Sequence, residues 1–228
     1  FSPQQIKVGL ICTDESRDVF IPFIGKMIEG SNYQKGTDYV SEYKGFQKTF
    51  KKDITLVDPF NGLKSSALKA LSFDQFVEKI ISGIKKIYDN YEVDIVLICF
   101  GDDLKRYKTC DRKDFHDLLK IKCANNYKTQ ILESSSINSP NNINKKLLNL
   151  ATAIYTKTIG MPWRPANYSA DTLFLGISYG INEKGINVGC SQMFDGAGRG
   201  LKLLISSISE KHSKNPYLSR DEAFFSVT

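Results

Sequence analysis

The sequence predicts an α/β protein with a mostly parallel sheet, and two observations lead to this fold class. Short apolar runs, typical of buried strands, alternate along the chain with longer segments whose apolar residues recur at helical spacing. Gly, Pro, Ser and Asp residues, which commonly begin or end helices, lie between the two kinds of segment. Such an alternation is typical of parallel strands joined by helices that cover the faces of the sheet.

Four short apolar runs are the predicted strands. In the clearest of them, residues 95–100, every side chain is apolar, and Gly101 ends the run. A run without polar alternation predicts a strand that is buried on both faces, as parallel strands are. The four predicted strands are residues 6–12, 54–57, 94–100 and 129–133.

Four segments of helical spacing follow these strands. The second has Ser72 three residues before Gln75, a pattern that predicts a capping box at the start of a helix. The last ends at Gly160 with Pro162 just beyond, as expected for a helix C-terminus. The predicted helices contain residues 20–28, 76–87, 116–120 and 143–154.

A second unit is predicted after the sequence Met-Pro-Trp-Arg-Pro at residues 161–165. Two strand-like runs, 173–181 and 186–194, flank a turn that contains Gly185, and this arrangement predicts a β-hairpin. Residues 200–208 are a candidate third strand. The two predicted domains are residues 1–165 and residues 166–228.

Composition indicates a soluble globular protein, because 41% of the residues are hydrophobic, 25% are charged and no run is long enough to span a membrane. The five cysteines are scattered without a Cys-x-x-Cys spacing, which predicts a reduced, cytoplasmic protein. The net charge is +6, and between Lys105 and Lys128 eight Lys or Arg residues accompany three Asp residues. This local excess favours a polyanionic partner, although a charge run alone is more often a solvated surface.

Four polar residues of the first domain form the candidate binding site. His116 and Lys120 are four apart on a predicted helix and therefore share a face. Gln130 lies at the start of a predicted strand, and Lys157 lies near the end of the following helix. An imidazole, a carboxamide and two ammonium groups at one point supply the donors and the positive charge that a terminal phosphate needs. In an open α/β sheet, ligands bind beyond the carboxyl ends of the strands, which is where the helix of His116 begins.

Taken singly, each of these residues also fits a structural role. A lysine on a helix is commonly a solvated charge, and Lys157 would also complement the negative end of its helix. A small-molecule-sensing α/β domain with a basic cleft is therefore an alternative to phosphate binding. No histidine or acidic pattern accompanies Ser178 or Cys110, so a hydrolase that uses either residue as its nucleophile is not expected.

The order and spacing of the four site residues resemble a known family. The pattern [Tyr or His]-x-x-x-Lys, then Thr-Gln, then a helix closing in x-Lys-x-x-Gly is similar to the MID domain of Argonaute proteins, where it holds the 5′-phosphate of a guide strand. The matching residues are His116, Lys120, Gln130 and Lys157. Where many relatives have a further Lys one turn before the last, this chain has Ala153. The resemblance therefore implies a less cationic pocket, in which a magnesium ion at the phosphate would supply the missing charge.

The second domain resembles the opening strands of the RNase H-like PIWI domain, which follows MID in Argonautes. In slicing members the first strand resembles Leu-Gly-x-Asp, and its Asp is a metal ligand of the nuclease site. Residues 175–178 are Leu-Gly-Ile-Ser, with Ser178 at that position. Two-metal cleavage needs carboxylate ligands, so no slicing is expected. Two alternatives are Asp195 as the ligand, although its surroundings predict a turn, and a slicing nuclease whose acidic residues lie outside this chain.

These features together resemble short prokaryotic Argonautes. The resemblance implies a Rossmann-like MID domain over residues 1–165 and an incomplete PIWI domain over residues 166–228. It implies a small guide strand, RNA in preference to DNA, that pairs with a complementary single-stranded target and directs the recognition of invading DNA. It also implies an APAZ-containing effector partner of the TIR or Sir2 type. The loop at Lys105, Arg106 and Tyr107 is expected to contact the first base of the guide through charge and stacking. No catalytic residue is expected in this chain.

Overall fold

The structure, a computed structural model, divides into two compact units, Phe1–Pro162 and Trp163–Thr228. The first unit contains a parallel sheet between two apolar cores, and the second contains an antiparallel sheet. The α/β fold class predicted from the sequence is therefore confirmed. The described residues are 5–33, 40–139, 141–158, 160–163, 171–182 and 185–207.

Strands and helices alternate through the first unit. The four predicted strands and the four predicted helices each correspond to one element. In chain order the elements are β1 (Gln5–Ile11), α1 (Arg17–Glu29), α2 (Phe46–Phe50), β2 (Asp53–Val57), α3 (Ser65–Lys69), α4 (Phe73–Tyr91), β3 (Ile95–Phe100), a 3₁₀ helix (Asp102–Tyr107), β4 (Thr109–Cys110), β5 (Lys113–Asp114), α5 (Phe115–Cys123), β6 (Thr129–Glu133), α6 (Ser134–Ile137) and α7 (Ile143–Thr158).

The four-stranded sheet has the order β2-β1-β3-β6, and all neighbouring strands in it are parallel. Ile98 of β3 lies opposite Ile11 of β1 on one side and Ile131 of β6 on the other. The central strands β1 and β3 are thus paired on both sides, whereas β2 and β6 form the edges. The edge position of β6 matters for the candidate site, because Gln130 lies on this strand.

Alternate side chains of the central strands fill the two cores. Ile95, Leu97 and Cys99 of β3 face the core that contains residues of α1, α2 and α7. The residues between them face the core that contains residues of α3, α4 and α5. All six residues of β3 are buried. Burial on both faces explains why this strand is an unbroken apolar run in the sequence.

Side-chain caps fix where two of the helices begin. At the start of α4 the Ser72 hydroxyl accepts a hydrogen bond from the Gln75 amide at 3.3 Å, and the Gln75 side chain accepts one from the Ser72 amide at 2.9 Å. These two bonds form the predicted capping box. At the start of α5 the Asp114 carboxylate accepts hydrogen bonds from the amides of His116 and Asp117, at 2.8 and 3.2 Å. The cap at Asp114 holds the first turn of α5, which carries His116.

Two of the segments that connect the predicted strands and helices contain short helices. Residues 101–114 include the 3₁₀ helix and an antiparallel pair formed by β4 and β5, and residues 134–142 begin with α6. The hydroxyl of Ser134 donates a hydrogen bond to Oδ1 of Asp102 at 2.9 Å, which joins the two segments. Contacts of this kind depend on the tertiary fold, so the local sequence carried no signal for these helices.

The second unit is a three-stranded antiparallel sheet in the order β7-β8-β9. The predicted hairpin and the candidate third strand are both present in it. Its strands are Leu173–Asn182 (β7), Gly185–Asp195 (β8) and Gly200–Ser207 (β9). Within the described part of both units, no helix has the length and apolar character needed to cross a membrane.

Candidate functional site

A cavity of about 520 Å³ is lined by residues of β6, α5 and α7. His116 of α5 and Gln130 of β6, two of the four predicted site residues, line it. Ala153 of α7, which stands where the Argonaute pattern often has a lysine, also lines it. The remaining lining residues are Phe23, Ile131, Leu132, Glu133, Ser135, Ser136, Ile137, Lys146, Asn149 and Leu150.

Helix α5 presents His116 and Lys120 on its exposed side. Phe115, Leu119 and Cys123 are buried and hold the opposite side of the helix in the core that contains α4. His116 and Lys120 are four residues apart, which places them on adjacent turns of one face. This face is therefore available to a ligand while the helix stays fixed by its apolar side.

Lys157, in the last turn of α7, reaches across to the edge strand β6. Its Nζ donates a hydrogen bond to the carbonyl oxygen of Thr129 at 2.6 Å and another to Oε1 of Gln130 at 3.0 Å. The structure thus brings Lys157 and Gln130 into direct contact. Helix α7 is held in place by its buried residues Asn144, Leu147, Leu150, Ala151 and Ile154.

Partial burial and the positive charge of Lys120 both disfavour the protonated form of Lys157. Lys157 is an exposed residue, but partial desolvation of its ammonium end, together with the charge of Lys120, lowers the pKa of Lys157. In the described part of the chain neither lysine has a carboxylate within ion-pair distance, whereas the nearby Lys122 lies 2.6 Å from Glu78. Two neighbouring cations without a counterion favour the binding of an anion.

Two polar residues of α7, Lys146 and Asn149, line the cavity but are not part of the sequence motif. Nζ of Lys146 donates a hydrogen bond to the carbonyl oxygen of Ser139 at 2.8 Å. Both residues lie on the stripe that runs back from Lys157 through Ala153 in steps of three and four residues. Helical spacing from Lys157 was therefore the sequence signal that could have found them.

Glu133 adds an acidic group to the wall of the cavity. Its Oε2 accepts a hydrogen bond from Nζ of Lys108 at 2.7 Å and another from the hydroxyl of Ser135 at 3.1 Å. The ion pair with Lys108 balances the charge of this carboxylate. This part of the wall is consequently less repulsive to an anion than an unpaired carboxylate would be.

The three residues expected to contact a first base lie on the 3₁₀ helix. Lys105 and Arg106 are exposed, but Tyr107 is only 1% exposed. The Tyr107 ring stacks on Phe76 with the ring centroids 4.0 Å apart, and the Arg106 guanidinium lies 4.7 Å from the Tyr107 centroid. Nη2 of Arg106 also donates a hydrogen bond to the carbonyl oxygen of Leu71 at 3.1 Å. The expected stacking of a base on Tyr107 does not fit this packing, because the ring is part of the core.

Asp114, His116 and Asp117 each place one potential ligand atom within 4.8 Å of the others. The Asp114 carboxylate already accepts two backbone hydrogen bonds as the cap of α5. Magnesium prefers six oxygen ligands, and one of these three groups is an imidazole. The cluster is therefore a poor fit for magnesium, and it does not support the magnesium ion expected at a bound phosphate.

In the second unit, Ser178 lies on β7 opposite Cys190 of β8, and the side chain of Ser178 is exposed.

Asp195 lies at the turn between β8 and β9. Its carboxylate accepts hydrogen bonds from the amides of Arg199 and Ala197, at 2.8 and 3.0 Å, and from Nε of Arg199 at 2.7 Å. These contacts, above all the one from the Arg199 amide, lower the pKa of Asp195. Its carboxylate oxygens therefore stabilise the turn that the surrounding sequence predicts.

Comparison with known proteins identifies similar folds but no similar sequences. No protein-family model and no curated protein matches the chain. The structure of Aa-Ago with externally bound siRNA is similar at a TM-score of 0.53 and 15% identity, over 91% of this chain and 27% of that protein. A structure of Aquifex aeolicus Argonaute is similar at the same TM-score and identity, over 100% of this chain and 29% of that protein.

The chain spans less than a third of either Argonaute. At 15% identity, the likeness establishes the fold and not the function. The match also bears out the structural part of the sequence resemblance, since it extends over most of the chain. The protein therefore has an Argonaute-like fold.

Proposed function

We propose that this chain is a guide-binding module that anchors the 5′-phosphate of a small guide strand for recognition of invading nucleic acid. The observation that carries the proposal is that motif residues meet at the edge strand β6: Nζ of Lys157 donates a hydrogen bond to Oε1 of Gln130 at 3.0 Å, and Gln130 and His116 line one cavity. The Argonaute-like fold supports nucleic-acid binding in general, because Aa-Ago was solved with externally bound siRNA.

The two lysines provide the charge for binding a terminal phosphate. A 5′-phosphate carries up to two negative charges near neutral pH and has oxygens that accept charge-assisted hydrogen bonds. Bound beside Lys120 and Lys157, it would counter the effect of the Lys120 charge and raise the pKa of Lys157. His116 and Gln130, which line the adjoining cavity, complete the proposed site.

A small-molecule sensor is the second candidate function. The cavity, at about 520 Å³, has the size of many small-molecule pockets. Its wall combines apolar residues with Glu133, whose charge is balanced by an ion pair with Lys108, and a neutral polar ligand would tolerate this wall. The two candidate functions differ in what they require of a ligand, because only the first requires a terminal phosphate.

The deciding experiment measures binding of labelled single-stranded RNA and DNA, each with and without a 5′-phosphate. We expect tighter binding of the phosphorylated strands. Lys120→Ala should weaken their binding by roughly 1.5 to 3 kcal/mol, or about ten- to 150-fold, since a charged hydrogen bond is lost. The phosphate-dependent part of the affinity should also fall as salt is raised.

Lys122→Ala is the matched control for this substitution. Lys122 lies on the same helix and has the same side chain, but its ammonium group is paired with Glu78 of α4. Its loss should leave the preference for phosphorylated strands unchanged. Equal binding of phosphorylated and dephosphorylated strands, unaffected by Lys120→Ala, would overturn the proposal in favour of a small-molecule sensor.

The proposal includes the absence of slicing and the presence of an effector partner. By the family resemblance, Ser178 stands where slicing members have the first metal-binding Asp, and a neutral hydroxyl does not supply the charge that a two-metal site needs. Incubation of the guide-loaded protein with a complementary labelled target and Mg²⁺ or Mn²⁺ tests this point, and a cleavage product would contradict it. The effector expected from the family resemblance is an APAZ-containing subunit of the TIR or Sir2 type, located with this chain in the cytoplasm.

A further inference from the structure

Two of the scattered cysteines, Cys12 and Cys99, meet in the folded chain. Ile11 of β1 lies opposite Ile98 of β3 in parallel register, and the residue that follows each of them is a cysteine. Both cysteine side chains are 1% exposed and belong to the same apolar core, and the two thiols are hydrogen-bonded to each other. Neighbouring strands lie about 4.8 Å apart, a separation that a disulfide can span without movement of the backbone.

Polar groups around Cys12 favour its thiolate form. The hydrogen bond from the Cys99 thiol, above all, lowers the pKa of Cys12, and the Ser16 hydroxyl and the charge of Arg17 lower it further, against the desolvation that raises it. Sγ of Cys12 lies 3.5 Å from Oγ of Ser16, which in turn lies 2.6 Å from Oγ1 of Thr13. The Thr13 hydroxyl can therefore donate to Ser16 while Ser16 donates to the thiolate.

Cys99 has the opposite character. Burial, above all, raises the pKa of its thiol, and the hydrogen bond with Cys12 raises it further. Cys99 therefore keeps its proton and donates it towards Cys12. Because the thiolate is the reactive form of cysteine, Cys12 is the nucleophile of the pair, and Cys99 is placed to attack the Cys12 sulfur once that sulfur is oxidised.

A cavity of about 220 Å³ lies next to the pair, at the carboxyl ends of β1 and β3. Ser16, whose hydroxyl contacts Cys12, is part of the cavity wall, and so is Gly101, which follows β3. Hydrogen peroxide is little larger than a water molecule, which occupies about 30 Å³ in the liquid, so it fits this cavity. The cavity therefore brings a small oxidant next to the side chain that contacts Sγ of Cys12.

We propose that Cys12 and Cys99 are a redox modification site, in which hydrogen peroxide oxidises Cys12 and a reversible disulfide then joins the end of β1 to β3. The thiolate of Cys12 attacks one oxygen of the peroxide, the O–O bond breaks, and the released hydroxide takes up a proton to become water. Sγ of Cys99 then attacks the sulfenic acid, the S–O bond breaks, and the hydroxide leaves with the Cys99 proton as a second water. The two sulfurs lose two electrons in total, and the peroxide gains them. This chemistry does not depend on the proposed function.

Peptide mapping of the peroxide-treated chain tests the proposal. The folded protein is treated with hydrogen peroxide, its remaining thiols are alkylated in denaturant, and it is digested with trypsin without a reductant. Cys12, Cys99 and Cys110 fall in different tryptic peptides. We expect a peptide pair linked through Cys12 and Cys99, which dithiothreitol separates. Recovery of both peptides fully alkylated, under conditions that oxidise Cys110, would overturn the proposal.

Single variants test the roles of the two sulfurs. Cys99→Ser should lose the linked peptides and stop at the sulfenic acid of Cys12, which is detected as its dimedone adduct. Cys12→Ser should also lose them and leave Cys99 reduced, whereas the control Cys110→Ser should form them as the wild type does. Oxidation of Cys99 at the wild-type rate in Cys12→Ser would contradict the assignment of Cys12 as the nucleophile. Thermal unfolding checks the fold of each variant, alanine replaces serine where the serine variant does not fold, and the wild-type peptide map requires no variant.

Discussion

The rings of Phe76 and Tyr107 stack face to face, with centroids 4.0 Å apart and planes 4° from parallel. The hydroxyl of Tyr107 also lies 2.6 Å from the carbonyl oxygen of Leu68 and 2.8 Å from that of Leu71. These contacts attach the 3₁₀ helix to α3 and α4. The basic residues of this helix are thus presented on a rigid element, and Tyr107 is the residue that anchors it.

Tyr107→Phe should destabilise the protein without changing nucleic-acid binding. The ring stack is retained, but the carbonyls of Leu68 and Leu71 lose a buried donor, which should cost about 1 to 3 kcal/mol. Urea unfolding measures the change in the free energy of unfolding. Lys105→Ala, at an exposed position of the same helix, should stay within about 0.5 kcal/mol of the wild type. A Tyr107→Phe variant that is as stable as the wild type but no longer prefers phosphorylated strands would instead show that Tyr107 takes part in nucleic-acid binding.

The pH dependence of phosphate binding should reflect the titration of Lys157. Desolvation and the charge of Lys120 lower the pKa of Lys157 below its ordinary 10.5. Affinity for a 5′-phosphate requires the ammonium form, so it should decline as pH rises through this lowered pKa. The decline should therefore begin at a lower pH than an ordinary lysine would give. Dissociation constants of phosphorylated and dephosphorylated strands, measured from neutral to alkaline pH, test this expectation.

Lys157→Arg is the control for the pH experiment, because a guanidinium stays charged throughout this range. The variant should lose the part of the decline that Lys157 causes. An identical pH profile in the variant would show that another group titrates. The free energy of unfolding responds in the opposite direction. Between the lowered pKa of Lys157 in the folded chain and its ordinary pKa in the unfolded chain, the unfolded chain binds more protons than the folded one. The Lys157 contribution to stability therefore rises with pH in that window.

Much of the first unit could be predicted because its strands and helices have strong local signals. β3 is apolar at every position since it is buried on both faces, and the Ser72 and Gln75 pair marked the start of α4. The burial of Tyr107 could not be predicted in the same way. It depends on Phe76 and Leu68, which are distant in sequence and meet Tyr107 only in the folded chain.

In the candidate site, too, some features could be predicted from local sequence and others depend on the folded chain. The helical spacing of His116 and Lys120 predicts their common face, and the spacing back from Lys157 would also have indicated Lys146 and Asn149. The contact of Lys157 with Thr129 was beyond the sequence, because it depends on β6 being an edge strand. Strand order is a property of the assembled sheet that no single segment encodes.

Gly45→Ala should destabilise the first unit. Gly45 precedes α2 with φ of 90° and ψ of 165°, a conformation that is essentially restricted to glycine. A Cβ at this position would lie 2.5 Å from the carbonyl oxygen of Glu29, which belongs to the backbone and cannot move freely. We expect a loss of about 1 to 3 kcal/mol in thermal or urea unfolding.

Gly25→Ala provides the contrasting control. Gly25 lies inside α1, and a Cβ there would meet nothing within 4 Å. The substitution should stabilise the protein by roughly 0.5 to 1 kcal/mol, because alanine is the better helix former. Two Gly→Ala substitutions with effects of opposite sign would support the backbone geometry at both positions. Equal effects would contradict it.

Asn144 fastens α7 to the backbone at Tyr33, Val40 and Ser41. The side chain is fully buried, and its Nδ2 lies 2.8, 3.2 and 2.9 Å from the carbonyl oxygens of these three residues. Asn144→Ala removes the donor and should cost roughly 1 to 3 kcal/mol. Asn144→Asp should cost more at neutral pH, about 3 to 5 kcal/mol, because an unpaired carboxylate would face the three carbonyl oxygens.

The two substitutions at Asn144 should also differ in their response to pH. Burial and the facing oxygens would raise the pKa of the introduced carboxyl in the folded state above its unfolded value. The folded variant then binds more protons than the unfolded chain between these two pKa values, so its stability falls as pH rises through the window. Lowering the pH should therefore restore part of the stability of Asn144→Asp relative to Asn144→Ala. Parallel stability curves for the two variants in urea unfolding across pH would show that this side chain does not face the three carbonyls.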